Sequence, residues 1–177
     1  MHRIVWAITM KGEGVAKDLG KAIEWYRKSA DNGNELAQCN LGLCYECGKG
    51  VTKDLVKAAE WYQKAAEQGS AEAQNRLGEC YFYGRGEPEN KSAAVKWYEK
   101  AAEQGIANAQ YNLGYCYEKV RRDKRQRTGY AWYKKAADQG HESAKEAIDG
   151  MESGGMGAAV AGGVALAATG LIWKIFE

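Results

Sequence analysis

From Leu36 to Cys47 the apolar residues Ala37, Leu41, Cys44 and Tyr45 fall at i, i+4, i+7 and i+8, one face of an α-helix. From Leu55 to Gln68 the residues Ala58, Tyr62, Ala65 and Ala66 repeat that spacing, with Trp61 beside them. The pattern predicts two helices, A and B, joined by a loop containing Gly48 and Gly50. Helix B is predicted to start after Asp54, matched by Asp18 and Asn90, because an oxygen there accepts from an otherwise unpaired first-turn amide. Its predicted end is Gly69, matched by Gly33, Gly105 and Gly140, since glycine adopts the left-handed conformation that closes a helix.

The same pattern returns along the chain. Trp25-Tyr26 recurs as Trp61-Tyr62 and Trp97-Tyr98 at steps of 36 residues, then as Trp132-Tyr133 after 35. Leu41-Gly42, Leu77-Gly78 and Leu113-Gly114 keep the step, as do Tyr45, Tyr81 and Tyr117, and Ala37-Gln38, Ala73-Gln74 and Ala109-Gln110. Such a period means a stack of like units, none able to bury its apolar face alone. Gly42, Gly78 and Gly114 lie inside helix A, where glycine costs about 1 kcal/mol against alanine, so they are expected to mark close contact between helices.

Composition then becomes readable. Of 22 Gly, 13 fall at recurring positions of the repeat, and the 6 Trp and 11 Tyr against 2 Phe reflect one copied Trp-Tyr pair. That pair is expected to be core, its polar tips reaching loop groups or water, rather than a stacking platform for bases or sugars. The net charge of +2 argues against nucleic acid as a partner. Two His, His2 and His141, leave little for a catalytic or metal site, and no cofactor is expected. Cys44 and Cys47 form a Cys-x-x-Cys, but Cys44 recurs as Cys80 and Cys116 while Cys47 gives way to Tyr83 and Lys119, so core packing is expected rather than zinc or redox chemistry.

The run Leu41-Gly42-Leu43-Cys44-Tyr45, followed by Gly48-Lys49-Gly50-Val51, Asp54, Lys57-Ala58, Trp61-Tyr62, Lys64-Ala65-Ala66 and Gly69, resembles the Sel-one-like repeat (SLR) family, relatives of the tetratricopeptide repeats. The likeness is close over 12–118 and looser to about 148. It implies an all-α fold, a right-handed α-solenoid of stacked antiparallel helix pairs over 1–150, with about four repeats of which the first and last are incomplete. It also implies a non-catalytic adaptor or scaffold for protein–protein interaction. The chain departs from the pattern at Ile4 to Met10, a short remnant of helix A, and at Lys119 to Thr128, which replaces the usual loop. A cysteine-rich secreted subclass of the family pairs a Cys late in helix B with one early in the next helix A. Here those places hold Ala and Gln, and five unpaired Cys fit a reducing compartment.

The positions that do not repeat carry the functional expectation. Residues 36, 40, 43 and 47 form a second stripe on helix A, about 110° from the core stripe, and its contents differ by copy. One reading is ordinary drift of a solvent-facing surface; the other is a groove for a protein or peptide partner in which Arg76, Glu79, Tyr83, Asn112 and Tyr115 take part. Lys119, Arg121, Arg122, Lys124, Arg125 and Arg127 set six positive charges against Asp123. They form either a solvated, diverged loop or a basic patch for an acidic partner, an anionic membrane or nuclear import.

After Met151 the character changes. Residues 154–173 hold six Gly, six Ala and no charge, enough at about 1.5 Å per residue to cross a bilayer core as a helix. The segment 151–177 is thus a candidate transmembrane tail, a capping helix or a flexible tail. Ile4 to Met10 is too short for a secretory signal, so a cytoplasmic location is expected, with membrane association through 154–173. A ligand-binding solenoid with hydrolase-like activity is the alternative function; it lacks a recurring nucleophile beside a His or paired carboxylates.

Overall fold

The computed structural model describes residues 15–119 and 126–153. In chain order they form α1 (Val15–Asp31), α2 (Glu35–Cys47), α3 (Leu55–Glu67), α4 (Ala71–Tyr83), α5 (Lys91–Glu103), α6 (Ala107–Lys119), α7 (Gln126–Asp138) and α8 (Glu142–Met151). There is no strand among the described residues, and the fold is an all-α helical repeat. Helix A of the repeat is seen in α2, α4, α6 and, by the register of Ala144, α8, and helix B in α1, α3, α5 and α7. The chain divides between Trp97 and Tyr98 into two units.

Most helix ends follow the sequence. Asp54 accepts from the Lys57 amide at 3.0 Å, and Asn90 from the Ala93 amide at 3.0 Å. Asp18 does not cap: α1 starts at Val15, which places Asp18 within its first turn. Ala16, the best helix former, stands where the second copy has Thr52, so the helix extends backwards. Gly33, Gly69, Gly105 and Gly140 have φ of 85, 99, 92 and 89°, as expected for helix B termini. The residue after each of three of them starts the next helix: Asn34 accepts from Ala37 N–H at 2.8 Å, Ser70 from Ala73 N–H at 3.5 Å, and His141 Nδ1 from Ala144 N–H at 3.3 Å. One short turn therefore ends a helix and begins another.

The core is built around a contact between the two helices of a repeat. A Cβ placed on Gly42 would lie 2.7 Å from the Tyr62 ring and 3.2 Å from the Ala58 carbonyl oxygen; one on Gly114 would lie 2.7 Å from the Tyr133 ring. Helix A thus rests directly on the tyrosine of helix B, and Leu41, Leu77 and Leu113 are fully enclosed beside it. Tyr62 and Tyr133 are buried as expected, and their hydroxyls reach helix A rather than a loop. Tyr62 donates to Glu46 at 2.6 Å and Tyr133 to Glu118 at 2.9 Å, both on helix A.

The tryptophans bear out the expectation of a core Trp-Tyr pair only in part: Trp61 and Trp97 pack against the edge of the core, but Trp25 does not. Trp25 is 64% exposed, and Trp61, Trp97 and Trp132 are half-buried. Neighbours in a helix lie about 100° apart, so Tyr and Trp cannot both point at the same partner. Lysines lie over at least three of the rings: Lys28 Nζ is 5.6 Å from the Trp25 ring centre, Lys64 Nζ 4.1 Å from that of Trp61 and Lys135 Nζ 4.0 Å from that of Trp132.

Buried polar groups are satisfied in a repeating way. In the first unit, Gln38 and Gln74 donate to the Ala30 and Ala66 carbonyls at 3.0 and 3.1 Å, and Gln68 donates to Gln38 at 2.6 Å. In the second, Gln110 donates to Ala102 O at 3.2 Å and accepts from Gln139 at 2.8 Å. Each of Gln38 and Gln110 therefore joins its own helix A to the preceding and following helices B. The cysteines also behave as core: Cys39, Cys44, Cys80 and Cys116 are buried and only Cys47 is exposed. Burial pushes the Cys39 thiol up to about 11 and the Cys80 thiol to about 12.

Three outcomes follow. Gly20 is exposed on α1 with nothing near its missing Cβ, so Gly20→Ala should stabilise the fold by about 0.5–1 kcal/mol in chemical denaturation. Gly42→Ala gains the same propensity but must displace a buried ring, at about 1–3 kcal/mol, and should be net destabilising. In the native protein at neutral pH a maleimide should modify Cys47 alone among the cysteines, the other four reacting only after denaturation, read by intact mass.

Candidate interaction surface

In the first unit the second stripe lies on α2 and α4. On α2, Leu36 is 62% and Leu43 36% exposed, and Cys47 is exposed at the end of the helix. On α4, Arg76 bridges two carboxylates one turn to either side, Nε to Glu72 at 3.2 Å and an Nη nitrogen to Glu79 at 3.6 Å. Asn75, itself buried, donates to Glu79 at 3.2 Å. Burial raises the Glu79 carboxyl above the ordinary carboxylate range, and Arg76 only partly offsets this. Burial also works against the Arg76 charge, but Glu79 and Glu72 outweigh it, and its pKa rises. Tyr83, 57% exposed, ends the helix with the Arg85 guanidinium 4.8 Å from its ring centre.

Glu46 ties this surface to the core. Held by the Tyr62 hydroxyl, it lies on α2 yet contributes to raising the Glu79 carboxyl and Cys80 thiol on α4. Burial, joined by the hydrogen bond to Glu46 and its charge, drives the Tyr62 phenol far above its ordinary value. Glu46 and Glu72 were not among the expected partner-binding residues. The i, i+4 spacing of Glu72 and Arg76 is the signal that marks the ion pair; Glu46 has no such local signal, only its recurrence two periods on as Glu118, since the tyrosine that positions it is 16 residues away.

In the second unit, α6 carries Asn112, half-buried, and Tyr115, 39% exposed. The structure thus pairs Arg76 with Glu79 directly, sets Tyr83 at the end of the same helix, and places Asn112 and Tyr115 together on α6. Of the basic cluster, Lys119 is the last residue of α6 and Arg127 is exposed in the first turn of α7, while Arg121, Arg122, Lys124 and Arg125 lie outside the described residues. The segment 154–173 also lies outside them. Among the described residues no helix is long and apolar enough to cross a membrane.

No curated protein sequence matches the chain. Among solved structures it is similar to a protective antigen of uropathogenic Escherichia coli that displays an SLR fold, with 36% identity and a TM-score of 0.76 over 86% of this chain and 33% of the other. It is similar to a Sel1 repeat protein from Oxalobacter formigenes, with 35% identity and a TM-score of 0.69 over 75% of this chain and 55% of the other. Helicobacter pylori cysteine-rich protein B matches at 29% identity and a TM-score of 0.50, over 61% of this chain and 87% of the other. The chain thus spans a third of the E. coli antigen and just over half of the O. formigenes protein. The family model described as Sel1 repeat matches four times, over 8–34, 36–70, 71–106 and 107–141, and the chain belongs to the Sel1 repeat family.

Proposed function

We propose that this chain is a non-catalytic adaptor that holds a protein or peptide partner on the outward stripe of its helices A. One observation carries the reading. The positions that build the core are the same from copy to copy, whereas the stripe changes at every copy and exposes Leu36, Leu43, Tyr83 and Tyr115. Large apolar and aromatic side chains of this kind supply the binding energy of interfaces. Family membership supports the same reading, and the hydrolase-like alternative gains nothing from His141. That residue, the one histidine among the described residues, caps α8 and stacks on Tyr111 at 4.7 Å.

The test is a quadruple variant, Arg76→Ala, Tyr83→Ala, Asn112→Ala and Tyr115→Ala. It should keep the far-ultraviolet circular dichroism of the native chain while recovery of a partner captured by the native protein falls about tenfold or more. Unchanged recovery with an intact fold overturns the reading. Attachment of this adaptor to a membrane is supported by the length and lack of charge of 154–173 alone. A soluble reporter fused to residues 150–177 should then pellet with membranes, and a reporter that stays in the supernatant removes the tether.

A further inference from the structure

We propose that the face formed by α2 and α4 of the first unit docks a cationic peptide segment, one that combines Lys or Arg with apolar side chains. The inference rests on the adaptor reading and names the chemistry of the partner. Its first ground is charge: α2 and α4 together contain four glutamates, Glu35, Glu46, Glu72 and Glu79, against one arginine and no lysine. That arginine, Arg76, bridges Glu72 and Glu79 and also acts on Glu46, so one cation is spread over three carboxylates. The second ground is apolar exposure, with Leu36 and Leu43 along α2 and Tyr83 at the end of α4.

The two grounds select among partners. An uncharged apolar segment would cover the leucines but strip water from Glu46, Glu72 and Glu79 without replacing it, which costs more than the leucines return. An acidic segment would add repulsion. A lysine or arginine lays its aliphatic stem along the leucines and brings its charge to the carboxylates, satisfying both. Glu46 on α2 is held in place by the Tyr62 hydroxyl at 2.6 Å and so is a pre-positioned acceptor. Arg85 over the Tyr83 ring makes that end of the face the place for an apolar residue of the peptide rather than a basic one. Helix α6 of the second unit has one glutamate and one lysine, so this preference belongs to the first unit.

The experiment selects random 12-residue peptides displayed on phage against the full chain, with depletion on the variant Leu36→Ser, Leu43→Ser, Tyr83→Ser. Circular dichroism checks that the variant retains its helices. The expected pool binds the native chain, is lost on the serine variant, and is enriched in Lys and Arg together with apolar residues. A peptide synthesised from it should bind about tenfold more weakly to Glu72→Gln, Glu79→Gln, and more weakly as salt is raised. A pool that is acidic or uncharged, no pool that separates native from serine variant, or unchanged affinity on the glutamine variant each overturns the proposal. An acidic or uncharged pool lost on the serine variant overturns the cationic partner while leaving the adaptor reading standing. Partner recovery by the quadruple alanine variant tests that reading separately.

Discussion

The close approach of a glycine on helix A to a tyrosine ring on helix B sets the geometry on which the other features depend. With no Cβ at Gly42, the Tyr62 ring lies flush against α2 and Leu41 is enclosed beside it. The ring spans the helix, so its hydroxyl emerges at Glu46. A core contact therefore positions a carboxylate on the surface. The second unit repeats the device with Gly114, Tyr133 and Glu118.

Hydrogen bonding adds register to this packing. A buried glutamine side chain left unpaired would cost about 1–3 kcal/mol, so a helix placed one residue out of step with its neighbours would be disfavoured. Gln38 meets the Ala30 carbonyl on one side and Gln68 on the other only when α1, α2 and α3 are aligned. Because packing and register are discharged by the inner faces, the outer stripe of helix A is released from both. Its residues can change between copies without loss of the fold, which is why the candidate surface and the repeat coexist in the same helices.

Periodicity made the helices, their order and their glycine ends legible, because each depends on local spacing and recurs. It failed where recurrence was read as burial. The tryptophan recurs as regularly as the tyrosine beside it, yet Trp25 is largely exposed, since identity of position between copies says nothing about which of two adjacent residues faces inward. The helix A caps were hidden for the opposite reason. Asn34, Ser70 and His141 do the same work with three residue types, so comparison of copies does not reveal them. In the candidate site, Arg76 and Tyr83 stand out by type and position. The contribution of Glu46 depends on a tertiary contact that no local pattern encodes.

The turn from helix B to the next helix A has a consequence for where the chain tolerates a change of length. The spacing from tryptophan to the following helix A alanine is constant: Trp25 to Ala37, Trp61 to Ala73, Trp97 to Ala109 and Trp132 to Ala144. A glycine at positive φ followed at once by a capping residue leaves no slack, because one added residue would uncouple the stop from the start. The single shortening in the series, from a step of 36 to one of 35, falls instead between Tyr117 and Trp132, on the side of the glycine-bearing loops. The tight turn acts as a fixed joint and the opposite loop as the adjustable one. Insertions, splice points or grafted sequences belong on the loop side but away from Gly50 and Gly86, whose backbones pack against the preceding helix B at Leu19 and Leu55.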